Sequence, residues 1–123
     1  MNEKTPDAVV QGFLDAVAER DFDRAREFLA DAGFSYRSPL SDLDDASAFI
    51  ADISRVGPIL ERIEVRRTFV DGDEVCTIIN FFSRMDRLQV TPVVQWSRVA
   101  DGRIAAIEVF FDARQYASMF EVE

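Results

Sequence analysis

The sequence contains no histidine and a single cysteine, Cys76, among its 123 residues. The absence of histidine excludes Ser-His-Asp triads, Cys-His dyads and every metal site that depends on imidazole. A lone cysteine provides neither a disulfide framework nor a zinc cluster. We therefore expect no metal ion and no other cofactor, and the composition by itself assigns no catalytic residue.

Positive charge is also scarce in this chain. There are 14 lysines and arginines against 23 aspartates and glutamates, which gives a formal net charge of −9. Proteins bind nucleic acids and anionic membrane surfaces through positive patches, so neither is an expected partner. The first residues, MNEKTPDA, contain no apolar signal region, and no run of apolar residues approaches transmembrane length. We expect the protein in the cytoplasm.

Apolar residues are abundant, at 48% of the chain with 11 phenylalanines, which argues for a folded core. The stretch from Leu88 to Asp112 alternates with period two on both sides of Asp101-Gly102. This pattern predicts two antiparallel strands joined by a tight turn, because Asp-Gly suits the positive φ angles of a type I′ hairpin. Both faces of the second strand are mostly apolar, so we expect both to be covered.

The remaining segments place helices before strands. Thr5-Pro6-Asp7 opens a first helix, Asp21 caps a second, and Ser41 to Asp44 resembles a capping box for a third. Period-two alternation begins at Ile59, and Ala113 to Phe120 reads as a short final helix. We predict one α+β domain over residues 1–123. It has a curved antiparallel sheet of four strands plus one short strand, forming a cone with three N-terminal helices and the C-terminal helix.

The order of these elements resembles the nuclear transport factor 2-like superfamily, and within it the branch of SnoaL-like polyketide cyclases and ketosteroid isomerases. The resemblance is carried by VVQGFLDAVAERDFDRAREFLAD, the YRSP segment and VADGRIAAIEVFFD, which together with the hairpin spacings cover nearly the whole chain. It implies a cone-shaped fold around a pocket. It does not fix the activity, because the fold hosts isomerases, cyclases, hydrolases, dehydratases and non-enzymatic association domains.

The acids and donors that the resemblance would lead one to expect are missing. Where enzymes like ketosteroid isomerase carry a tyrosine and two acids, this sequence has Phe13, Ser38 and Val94. The acid expected on the last strand of SnoaL-like cyclases is replaced by Val109. Epoxide hydrolases of this fold use a tyrosine and an R-x-D pair. Tyr36 and the segment Arg84-Met85-Asp86 match these only in part, because Arg84 and Asp86 fall at a predicted turn.

Strand parity predicts which side chains line the pocket. The expected ligand-binding residues are Phe13, Tyr36, Ser38, Phe49, Arg67, Asn80, Phe82, Val94, Trp96, Val109 and Phe111. Alternatives remain open for the polar members. Tyr36 also fits a core position, Asn80 changes face with a one-residue shift of register, and Arg67 also fits a side chain that reaches solvent.

The same parity leaves an apolar outer face on the sheet, formed by Ile79, Phe81, Val93, Ile104 and Phe110. Exposed apolar patches mark interfaces, so we predict a homodimer that packs sheet against sheet. The preferred function is binding of a hydrophobic or aromatic small molecule, with isomerase- or cyclase-like chemistry as its enzymatic form. A non-catalytic dimerisation scaffold and an epoxide-hydrolase-like enzyme are the alternatives.

Overall fold

A computed structural model describes residues 5–114. Three α-helices precede the long strands, namely α1 (Pro6–Ala18), α2 (Phe22–Glu27) and α3 (Ala46–Ile53), and a 3-10 helix (Ser54–Ile59) continues the last of them. The strands are β1 (Ser35–Arg37), β2 (Asp42–Leu43), β3 (Leu60–Asp71), β4 (Glu74–Arg84), β5 (Leu88–Ala100) and β6 (Arg103–Phe110).

The six strands form one sheet in the order β2-β1-β6-β5-β4-β3. Strand β1 runs parallel to β6, and all other neighbours are antiparallel. The predicted α+β class and the run of four long antiparallel strands are confirmed. The sixth strand, β2, was not predicted. It is only two residues long and exists because Leu43 pairs with Tyr36, a contact that no local pattern reveals.

The turns and irregularities of the sheet explain its curl. Asp101 and Gly102 have φ angles of 54° and 78°, which confirms the tight turn between β5 and β6. The ladder register shifts between Leu60 and Arg62, between Val65 and Arg67, and between Arg98 and Val99. An extra residue at such a bulge bends and twists its strand. The sheet therefore curls around α1, which packs against β3, β4, β5 and β6.

The third helix begins later than the sequence suggested. Its N-cap is Asp45, whose carboxylate accepts a hydrogen bond from the Ala48 amide at 2.8 Å. The predicted cap Ser41 was wrong, because its hydroxyl is committed elsewhere and donates to Asp52 at 3.2 Å. Two equally good capping residues stood four positions apart, and tertiary contacts decided between them.

The packed core lies at the end of the cone where α1 and α2 meet the sheet. Val9, Leu29 and Ile104 are fully buried there, and Leu29 forms a parallel bridge with Ile104. Arg20 ties this corner to the sheet by donating to the carbonyls of Gly57 and Leu60. Within residues 5–114, no helix is long and apolar enough to cross a bilayer. The predicted final helix extends beyond the described residues.

Candidate ligand-binding cavity

The concave side of the sheet and the helices enclose a cavity of about 140 Å³ that is partly open to solvent. Its walls come from α1, α3, the 3-10 helix, strand β1 with the turn that follows it, and strands β3 to β6. The apolar wall residues are Phe13, Leu14, Val17, Leu40, Phe49, Ile53, Val56, Ile63, Ile79, Phe81, Val93, Val109 and Phe111. The polar wall residues are Tyr36, Ser38, Asp52, Thr91 and Gln95. An apolar space with a few polar groups is the usual form of a small-molecule site.

Phe49 of α3 holds an aromatic cluster at this cavity. Its ring lies 4.3 Å from that of Tyr36 at an interplanar angle of 35°, and 6.1 Å from the ring of Phe13. The ring of Phe34 lies on it at 5.4 Å. Aromatic pairs at these distances add to the free energy of burial and restrict each other's orientation. The Tyr36 ring is therefore fixed by packing before any ligand is considered.

The Tyr36 hydroxyl is a neutral hydrogen-bonding group. Tyr36 is only 7% exposed. Burial raises the pKa of Tyr36 from 10.0 to about 12, a hydrogen bond with Ser38 lowers it in part, and the negative charge of Asp52 raises it further. A phenol with this pKa stays protonated at neutral pH. It can donate to a carbonyl or an anionic oxygen of a ligand, but it is a poor base.

Ser38 sits in a tight turn that joins β1 to β2. Its hydroxyl accepts from the amides of Leu40 and Ser41 at 3.1 and 3.0 Å, and it lies 3.2 Å from the Ser41 carbonyl. Side-chain capping of this kind is typical of serine before a proline turn. The hydroxyl thus holds the turn in place and also borders the cavity beside Tyr36.

Asp52 is a cavity residue that the sequence analysis missed. It lies on α3, is half-buried, and lines the cavity near Tyr36. Its carboxylate accepts a hydrogen bond from Ser41 at 3.2 Å. The available signal was its spacing of three residues from Phe49, which places both side chains on the same side of a helix.

Gln95 and Thr91 of β5 add two further polar groups to the cavity wall. Gln95 is 5% exposed, and its amide nitrogen donates to the Ser97 hydroxyl at 3.2 Å. Thr91 is 3% exposed and lies on the same face. Buried polar side chains of this kind need partners, and a neighbour on the same strand supplies one for Gln95.

The structure brings six of the eleven predicted site residues together at the cavity, namely Phe13, Tyr36, Ser38, Phe49, Val109 and Phe111. The other five lie on the convex face, so their predicted placement was wrong. Asn80 donates to Glu64 at 2.9 Å, and the Trp96 indole donates to Glu74 at 2.8 Å. The remaining three are Arg67, Phe82 and Val94.

These five residues were misplaced for physical reasons that differ between the strands. Strand β4 is apolar on both faces, so alternation alone does not say which face turns inward. On β5 the more apolar face was expected inside, but the more polar face turns inward. On β3, the bulge between Val65 and Arg67 shifts the parity, and Arg67 pairs outward with Ile78. The face of β5 that carries Val94, which is 37% exposed, lies outside. The face that carries Gln95 lies inside.

The predicted dimer face needs the matching correction. Ile79, Phe81 and Val93 line the cavity, and Ile104 is fully buried in the core. Phe110 alone lies where it was expected, with 54% of its surface exposed. The convex face nevertheless carries a cluster of apolar side chains among its polar ones. We call its centre the convex patch, formed by Ile78, Phe82, Val90, Pro92, Val94 and Phe110.

The described lining of the cavity has no positively charged side chain and no cluster of metal-ligating side chains. No arginine or lysine is among its lining residues. Arg84 forms an exposed ion pair with Glu61 at 3.7 Å, away from the cavity. Within residues 5–114, no group of three or more Cys, Asp or Glu side chains is placed to hold a metal ion.

Comparison with known proteins gives one family match and many similar folds. The sequence profile of the SnoaL-like domain matches residues 10–107. No curated protein matches the chain significantly.

Three solved structures illustrate the similarity of fold. An NTF2-like protein of unknown function from Cytophaga hutchinsonii is 20% identical with a TM-score of 0.79, over 93% of this chain and 96% of the other. An LEH-like epoxide hydrolase from M. tuberculosis is 21% identical with a TM-score of 0.77, over 94% and 88%. A protein of ketosteroid isomerase-like fold from Catenulispora acidiphila, in complex with trimethylamine, is 12% identical with a TM-score of 0.78, over 98% and 96%. At these identities, the likeness establishes the shared fold alone.

Proposed function

This chain belongs to the SnoaL-like domain family, and on that basis we propose that its cavity binds a hydrophobic or aromatic small molecule. The observation that carries the proposal is a space of about 140 Å³ with apolar walls and polar groups gathered at Tyr36, Ser38 and Asp52. An engineered cavity of roughly this size binds benzene, so one ring fits in the deep part. The open side leaves room for a longer substituent.

The polar groups favour chemistry that needs positioning and hydrogen bonding. The Tyr36 hydroxyl is protonated at neutral pH and can donate to an oxygen on which negative charge develops. Asp52 offers an oxygen that accepts a proton or a hydrogen bond. As an enzyme, the protein would act as an isomerase or cyclase. Epoxide-hydrolase-like chemistry is not favoured, because no arginine lines the described cavity.

Binding is tested with a pair of substitutions at neighbouring positions. Val93 lines the cavity and Val94 lies on the convex face, so Val93→Phe adds volume inside and Val94→Phe adds it outside. Native mass spectrometry of the wild-type protein is expected to detect a co-purifying small molecule. Val93→Phe should lose it, and Val94→Phe should retain it. Equal retention by both variants, or no ligand on the wild-type protein at any stage of purification, contradicts the proposal.

We also propose that two copies of this chain pack together through the convex patch. Val90, Val94 and Phe110 are 48%, 37% and 54% exposed, and the strand register aligns Ile78, Val94 and Phe110 across three strands. Apolar area of this kind on a sheet face is costly in water and is covered in a stable dimer. A two-fold interface requires only one self-complementary patch. In the scaffold alternative, this dimer would be the whole function.

The dimer is tested by sedimentation. Phe110→Glu places a charge within the convex patch and is expected to give a monomer. Met85→Glu is the matched control, because Met85 is 41% exposed but lies at the turn between β4 and β5. A wild-type monomer, or an unchanged Phe110→Glu dimer, would remove the proposal without affecting the cavity.

Three broader inferences complete the proposed function. We infer that residues 1–123 form one domain, that the protein acts in the cytoplasm, and that neither nucleic acid nor membrane is a partner. The net charge of −9 supports the third inference, because it opposes association with anionic polymers and surfaces.

A further inference from the structure

Among residues 5–114, the carboxylate at the polar end of the cavity has no positively charged partner. Asp52 is half-buried, and its described hydrogen-bond partner is the neutral hydroxyl of Ser41. It takes part in none of the ion pairs of residues 5–114. A carboxylate offers about four lone-pair sites, so one hydroxyl leaves most of its capacity for a ligand.

The aromatic walls beside Asp52 favour the same type of ligand group. Phe49 lies between Phe13 and Tyr36 at ring distances of 6.1 and 4.3 Å, and all three rings border the cavity. The negative faces of aromatic rings attract cations, most strongly where water is excluded. A carboxylate and several rings around one space therefore act together on a cationic group.

We propose that the ligand of this cavity is a hydrophobic amine, held by its apolar part against the walls and by its ammonium group at Asp52. This inference depends on the proposed binding function and narrows it to one chemical class. A neutral ligand would displace water from the half-buried Asp52 carboxylate without supplying an opposite charge, which costs free energy. An anionic ligand would be repelled by Asp52 and by the net charge of −9, which instead attracts cations toward the protein.

The test compares two probes of nearly equal shape, phenethylamine and phenethyl alcohol, by isothermal titration calorimetry at neutral pH. The wild-type protein is expected to bind the amine about tenfold or more tightly than the alcohol, because a charge-assisted hydrogen bond replaces a neutral one. Asp52→Asn should abolish this preference while leaving the affinity for the alcohol nearly unchanged. Asp71→Asn is the control, because it removes one negative charge from an exposed strand end outside the cavity.

The outcomes separate this inference from the proposed function. If the alcohol binds as tightly as the amine, the amine class is wrong and small-molecule binding stands. If neither probe binds, the amine inference is overturned, and the retention of a co-purifying ligand by Val94→Phe but not Val93→Phe decides the proposed function independently. If Asp71→Asn lowers the amine preference as much as Asp52→Asn does, the effect belongs to net charge and the assignment to Asp52 fails. If Asp52→Asn does not fold, the ratio of the two wild-type affinities decides.

Discussion

The two faces of strand β5 differ in the opposite sense from the usual rule. Its inward face carries Thr91, Gln95 and Ser97, which are at most 5% exposed, whereas its outward face carries Val90 and Val94, which are 48% and 37% exposed. Polar side chains normally mark the solvent side of a strand. Here the polar face turns toward the cavity and the apolar face is exposed. The proposed ligand site and the proposed dimer would together account for this reversal.

The largest expected effect is a difference in the free energy of unfolding between substitutions on the inner and outer faces of β6. Ile107 is 1% exposed and Phe110 is 54% exposed. Ile107→Ala should lower the free energy of unfolding by about 3 kcal/mol, because it opens a cavity in the core. Phe110→Ala should change it by less than about 1 kcal/mol in the monomer, because its ring is mostly in water.

These values are measured by urea denaturation at a protein concentration low enough to keep both variants monomeric. Equal losses for the two variants would mean that Phe110 supports the fold of the single chain and not an interface.

A smaller change in stability is expected at high pH, because the Tyr36 hydroxyl on the concave face is shielded from water. The pKa of Tyr36 is raised from 10.0 to about 12, mainly by burial. The hydrogen bond with Ser38 lowers this pKa in part, and the negative charge of Asp52 raises it. Because the folded protein holds this proton more tightly, its contribution to stability is complete below pH 10. It is then lost as the pH rises toward 12, by roughly 2 to 3 kcal/mol. Tyr36→Phe should abolish this part of the alkaline loss.

The pKa itself is measured by the ultraviolet absorbance of tyrosinate in a Tyr116→Phe variant, in which Tyr36 is the one remaining tyrosine. A midpoint near 10 would show that water reaches the hydroxyl freely and that the inner face is open.

The smallest expected effect is a change in ligand affinity. It is tested at two amide side chains that the strands place on opposite faces of the sheet. Gln95 lines the cavity and Asn80 pairs with Glu64 on the convex side. Gln95→Ala should weaken the binding of phenethylamine by about threefold to tenfold, because a polar contact at the wall is lost. Asn80→Ala should leave this affinity unchanged. Calorimetry that shows the reverse order would mean that the ligand lies outside the cavity.

The inward face of a strand can be assigned from the sequence where its two faces differ clearly in polarity. On β3 the charged side chains of Arg62 and Glu64 alternate with Ile63, and Ile63 lines the cavity. On β4 both residue sets are apolar enough to be buried, and on β5 the more apolar set lies outside, so the wrong set was chosen on both strands. Asp52 escaped notice for a related reason, since an acid next to a helix stripe reads as solvated unless the helix orientation is known.

The amino-acid sequence by itself determined the SnoaL-like family, the α+β class, the turn at Asp101-Gly102 and the caps of α1 and α2, because these depend on local geometry and periodicity. Only the tertiary structure decided which face of β4 and β5 turns inward, where α3 begins and that Asp52 reaches the cavity. Those features depend on bulges and on the packing of distant elements, and a period-two pattern is unchanged when the sheet is turned over.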